Sequence, residues 1–76
     1  MDDAEISRLR ARLKDLSAGP FHFPEVYGPG WDDLPIGEKV RRGHGFLDLV
    51  RSGAFPQVTD TGEKAGGGRL YRKRAS

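Results

Sequence analysis

Cysteine is missing from this chain of 76 residues. No disulfide can staple it, and no thiolate is available as a nucleophile or metal ligand. Histidine is nearly as scarce. His22 and His44 lie far apart, without an acidic cluster beside them. The three or four convergent ligands of a metal site are therefore lacking, and no cofactor is expected. No apolar run approaches the roughly 18 residues that cross a bilayer. The charged, helical start MDDAEISRLR has the form of neither a signal peptide nor a transit peptide. The expected setting is cytoplasmic, with no membrane contact.

Catalytic patterns are also wanting. Ser7, Ser17, Ser52 and Ser76 do not sit in a strand-to-helix elbow. Gly62 and Gly67 have the spacing of a phosphate loop. However, Gly68-Arg69 stand where Lys-Ser/Thr must follow, and the segment leads into a strand. Asp32, Asp33 and Glu38 offer an acid/base set on paper, but helix capping explains them more simply. No internal repeat is visible. The chain is expected not to be an enzyme.

What is there is charge and two helical stripes. The net charge of +2 hides an asymmetry: residues 1–38 carry eight acids and four Lys/Arg, residues 39–76 three acids and nine Lys/Arg. The basic half suits phosphate or an acidic protein surface. A chain of this length is one domain that buries only about 60% of its unfolded surface.

Trp31–Gly53 reads as the central helix. Pro35 fits its first position, Asp32 and Asp33 suit the positive end of its dipole, and Gly53 fits the C′ glycine. Ile36, Val40, Gly43, Leu47 and Val50 recur at steps of three and four, predicting one buried stripe. Glu38, Arg41, Arg42, Gly45 and Asp48 are expected on the opposite, open face. Leu49 falls off the stripe, so either the N-terminal helix covers it or it marks a partner surface. Residues 2–17 read as a second helix, capped by Asp2 or Asp3, striped by Ile6, Leu9, Leu13 and Leu16, and stopped by Gly19-Pro20.

Phe21-His22-Phe23 predicts a brief strand, Pro24–Tyr27 one helical turn, and Gly28-Pro29-Gly30 a turn. Trp31, the single tryptophan, is expected as a lid over the core, or else as a base-stacking or interface anchor. Ala54–Thr59 and Arg69–Arg74 predict strands joined by the glycine-rich loop Thr61–Gly68.

The fold expected is α+β: two main helices on a two- to three-stranded antiparallel sheet made of 21–23, 55–59 and 69–73. Residues 1–19 would be the N-terminal amphipathic helix and 20–76 the helix-plus-hairpin core of one compact domain. Besides the aliphatics above, the expected core includes Phe21, Phe23, Val26, Leu34, Phe46, Phe55 and Leu70. A basic helix followed by a basic hairpin is the layout of a winged helix-turn-helix. It assigns nucleic-acid or partner binding to Arg41, Arg42, Gly45, Lys64, Arg69, Arg72, Lys73 and Arg74. Gly45 would let a phosphate approach closely, while Glu38 and Asp48 would repel one.

The run Trp31…Leu34-Pro35-Ile36-Gly37-Glu38…Gly43…Phe46…Val50…Gly53, followed by Tyr71-Arg72-Lys73, resembles a small bacterial and phage domain of unknown function, the DUF1413 family. The resemblance covers about residues 21–74 and implies a small winged-helix-like fold without catalytic residues. A longer N-terminal helix and the glycine-rich hairpin tip depart from it. Members of that family are often carried by phages or mobile elements. This implies a second function class, a small inhibitor or adaptor that binds a host or defence protein, such as an anti-CRISPR.

Overall fold

A computed structural model describes residues 2–64, 66 and 68–75. The chain order is helix, strand, two helices, then a hairpin. The elements are α1 (Asp3–Asp15), β1 (Gly19–His22), α2 (Phe23–Tyr27), α3 (Ile36–Ser52), β2 (Val58–Lys64) and β3 (Arg69–Lys73). The strands form one antiparallel sheet in the order β1-β3-β2. This α+β arrangement of three helices on a three-stranded sheet is compatible with a small winged-helix-like domain.

Asp2 caps α1, its carboxylate accepting the Glu5 N–H at 2.8 Å. That bond satisfies one of the amides a helix start leaves without a partner. Leu9 and Leu13 are buried and Ile6 and Leu16 pack beside them, as the stripe predicts. Gly19-Pro20 does not stop the helix. α1 ends at Asp15, and Gly19 and Pro20 already pair with Lys73 and Arg72 in the sheet. The first strand therefore runs Gly19–His22, and Phe23 opens α2, with Pro24 in its first turn. The His22 N–H donates to the Glu25 carboxylate at 2.6 Å, and Phe21 and Phe23 are both buried.

Pro35 is the residue before α3 rather than its first helical residue, and its carbonyl accepts the Lys39 N–H at 3.0 Å. Gly53 closes α3 in the left-handed conformation (φ +86°). Its own N–H donates to Val50 O and the Ala54 N–H to Leu49 O, the paired closure that glycine at this position permits. The closure carries the chain past Phe55 before pairing starts, so β2 begins at Val58, later than expected. It then continues through much of the expected loop to Lys64, with an irregular register between Asp60 and Lys64. Of the glycine-rich tip, Ala65 and Gly67 lie outside the described residues.

Phe46 is the centre of the core. Its ring stacks on Phe23 (4.6 Å between centroids) and Phe55 (5.6 Å), and meets Tyr71 edge-on at 4.9 Å and Phe21 at 6.5 Å. This cluster sets the rotation of α3 and corrects the predicted stripe. Phe46 and Val50 are the buried residues of α3, with Leu47 and Leu49 partly buried beside them. Ile36 is 82% exposed and Val40 56%. A large aromatic side chain removes more apolar area from water than a γ-branched or β-branched aliphatic. The helix therefore turns Phe46 inward and leaves its N-terminal aliphatics outside. Val58 and Tyr71 join the core as additional members.

Candidate binding face

The rotation of α3 gives its two flanks different chemistry. One flank meets α1. There Arg42, 22% exposed at its side chain, donates to Glu5 of α1, and its Nε lies 3.3 Å from Glu38 without hydrogen-bond alignment. The neighbouring residue, Arg41, is 72% exposed at its side chain and both its short contacts, at 2.6 and 2.7 Å, go to Glu38. Arg41 and Arg42, predicted together on an open basic face, thus part company: Arg42 is a structural tie and Arg41 a surface ion pair.

Other cations tie α1 to the body as well. The Arg12 guanidinium donates to Val26 O, Arg10 reaches Ala54 O at 3.4 Å, and Arg8 lies over the Tyr27 ring at 4.8 Å. Lys73, expected on a partner surface, is 7% exposed. Its ammonium donates to Lys14 O at 3.1 Å and to Leu16 O. It therefore satisfies the carbonyls that the end of α1 leaves unpaired, where positive charge also suits the helix dipole.

The other flank of α3 faces the β2–β3 hairpin across a cleft of about 460 Å³. Its apolar walls come from Phe23, Trp31, Val40, Leu47 and Tyr71, and its polar groups are Lys39, Lys64, Arg69, His22 and His44. Among the described residues no carboxylate lines it. Gly43 sits in its wall, and a β-carbon there would meet nothing within 4 Å. Trp31 packs near-perpendicular to Phe23 (5.4 Å, 86°) and to Tyr27 (5.4 Å, 64°), and stays partly buried. It covers the core edge as a lid while also lining the cleft.

Arg69 is oriented by Asp60 across the hairpin, both carboxylate oxygens lying 2.9 Å from its Nη1. Partial burial works to raise the Asp60 pKa. Hydrogen bonds from the Gly62 N–H and Arg69, with the charges of Arg69 and Arg51, outweigh it and hold the carboxyl below its ordinary value. Burial, reinforced by the negative charge of Asp60, pushes the Tyr71 hydroxyl up to about 12. His22 Nδ1 lies 3.0 Å from Arg69 O. A carbonyl can only accept, so Nδ1 carries the proton in this contact.

Of the residues predicted to bind, Lys64 and Arg69 thus stand at the cleft. Gly45 is half-buried and Arg72 exposed on the sheet. Arg74 is exposed at the chain end, its guanidinium on Pro56 O at 2.9 Å. Lys39 and His44 were missed as site residues. A signal for them was available, since Lys39 and Gly43, and Val40 and His44, are one helical turn apart. Among the described residues no helix is long and apolar enough to cross a membrane, and no group of three or more His, Asp or Glu is placed to hold a metal ion.

No curated protein and no solved structure matches the chain. A family model does, the one described as "Domain of unknown function (DUF1413)", over residues 7–73. The match starts inside α1 and ends at Lys73, the residue whose ammonium holds the end of α1. The N-terminal helix is therefore mostly inside the family's unit, and not an addition to it as the 21–74 resemblance implied. With nearly the whole length from α1 to β3 matched, the chain belongs to the DUF1413 family.

Proposed function

We propose that this chain is a small, non-catalytic binding module that takes nucleic acid on the face between α3 and the β2–β3 hairpin. The observation that carries this reading is the cleft with Lys39, Lys64 and Arg69 at its sides and no carboxylate among its described lining. Arg69 is engaged by Asp60, whereas Lys39 and Lys64 form no ion pair among the described residues. Unpaired cations attract phosphates, and a helix beside a hairpin is the layout used by winged helix-turn-helix modules. Arg72 and Arg74, exposed on β3 and beyond it, add general attraction. On this reading the protein works in the cytoplasm.

The test is fluorescence anisotropy with labelled random-sequence oligonucleotides, single- and double-stranded, at two salt concentrations. Affinity is expected to fall steeply with salt. The double variant Lys39→Ala/Lys64→Ala should lower the slope of log affinity against log salt by about one to two units, one for each phosphate that the variant no longer neutralises. Absence of binding to either oligonucleotide at low salt overturns the reading.

The exposure of Ile36 and Val40 favours a second reading, an inhibitor or adaptor that binds an acidic protein, because exposed aliphatics grouped on one face mark protein contacts. A phage- or mobile-element-encoded inhibitor of a host or defence protein, such as an anti-CRISPR, belongs to this class. Retention of a protein and not of nucleic acid on the immobilised chain would select it.

A further inference from the structure

We infer that the cleft between α3 and the hairpin receives one unpaired nucleotide, with its base against the aromatic wall and its phosphate at the lysines, so that single strands are preferred to duplex. The inference rests on the nucleic-acid reading above and specifies its ligand.

Three observations carry it. The first is shape. The basic groups border a concavity of about 460 Å³, within the range of about 300–1,000 Å³ typical of sites that enclose a small ligand. A duplex keeps its bases stacked inside and offers its phosphates on a convex surface, so it cannot fill such a recess. An unpaired nucleotide can.

The second is the composition of the wall. Trp31, His22 and His44 contribute the accessible rings, beside Lys39, Lys64 and Arg69, while the buried Phe23 and Tyr71 form the floor beneath them. Aromatic rings interleaved with cations are the combination that holds single strands, the rings taking bases and the cations taking backbone. An acidic peptide would use the cations but has no need of the indole and imidazole faces beside them.

The third is the outward side of α3, which a duplex groove would have to receive. It presents exposed Ile36, Arg41 already engaged by Glu38, Arg51 3.9 Å from Asp60, and exposed Asp48. Little cationic charge is left there for two phosphate backbones.

Trp31 is the only tryptophan in the sequence, so its fluorescence reports occupancy of the cleft directly. The full chain is titrated with four probes: an oligothymidylate of about twelve nucleotides, in the range of single-strand site sizes, a hairpin duplex with the same number of phosphates, an abasic strand of equal length, and poly-glutamate. Oligothymidylate should quench Trp31 and bind at least tenfold tighter than the duplex or the abasic strand. An oligouridylate arm separates RNA from DNA as the source of the strand, and preference for either supports the inference.

The decisive variant is Gly43→Leu. A side chain there enters open space, and leucine suits a helix better than glycine. The melting temperature should hold or rise while oligothymidylate affinity falls at least tenfold. Should Gly43→Leu lose its native melting transition, Val40→Glu replaces it, on a residue already exposed, with the same loss expected. Unchanged affinity in the folded variant overturns the inference, as does equal binding of the abasic strand. If the duplex binds as tightly as the strand and Gly43→Leu has no effect, the cleft is not the site but the nucleic-acid reading stands. If poly-glutamate alone binds, both fall.

Discussion

The two flanks of α3 are built from similar residues put to opposite use. Toward α1, a cation, Arg42, is flanked by Glu5 and Glu38, and the aliphatics of α1 are buried. Toward the hairpin, Lys39 and Lys64 border a recess with no carboxylate among its described lining, and Val40 stays in solvent. A compensated, closed flank stabilises the fold, whereas an uncompensated, open one leaves charge and apolar area for something else. The comparison teaches that, in this chain, arginine on the central helix is a poor sign of a binding face. The distribution of acids around each cation is the better sign.

The largest expected effect breaks both flanks at once. Phe46→Ala removes the ring that four others contact and should lower stability by about 3–5 kcal/mol, enough to unfold much of so small a domain. Val40→Ala should change it by no more than about 0.5 kcal/mol, because Val40 is already exposed. Urea denaturation of the two variants checks the rotation of α3. A Val40 loss as large as that of Phe46 would restore the stripe read from the sequence.

The next contrast lies in adjacent arginines. Arg42→Ala leaves Glu5 and Glu38 without their shared cation in a half-buried seam and should cost about 1–3 kcal/mol. Arg41→Ala removes an exposed pair and should cost no more than about 1 kcal/mol. Thermal melts of the two single variants decide the matter, and equal losses would erase the distinction between the flanks.

The smallest effect sharpens the hairpin side. Asp60 has a folded pKa below its ordinary value, so it binds its proton less readily folded than unfolded. Its contribution is complete above the unfolded value of about 3.9 and is lost as pH falls through the lower folded value. Asp60→Asn should therefore flatten part of the decline of stability with acid while leaving the slope above about pH 6 unchanged. Melting temperature against pH for both proteins is the measurement. An identical acid slope would mean that the Arg69–Asp60 pair does not act on stability.

Much of the architecture is legible residue by residue. The Asp2 cap, the Leu9/Leu13 stripe and the Gly53 stop are local features, and each occurs where its chemistry predicts. Boundaries moved where a neighbour intervened. Gly19-Pro20 looks like a helix stop, yet it joins the sheet because β3 offers pairing partners at Arg72 and Lys73. The candidate site was half legible. Lys64 and Arg69 were found from charge on a hairpin, and both stand at the cleft. Lys73 could not be assigned from charge, because its carbonyl partners on α1 lie 57 and 59 residues away in the chain.

The sequence by itself determined the two main helices, the Asp2 cap, the Gly53 stop, the hairpin and the basic character of the second half. These follow from propensities and spacings acting over a few residues. Only the tertiary structure decided which side of α3 faces inward. Ile36, Val40 and Leu47 lie to one side of Val50 on that helix and Phe46 and Leu49 to the other, and periodicity alone cannot rank the two sides. Contact of Phe46 with four rings drawn from β1, α2, β3 and the segment after α3 chose between them. The same rotation turned Arg42 toward Glu5 and left Val40 and Gly43 beside the cleft. Burial is a property of the assembled elements, and so the candidate site exists only once they are packed.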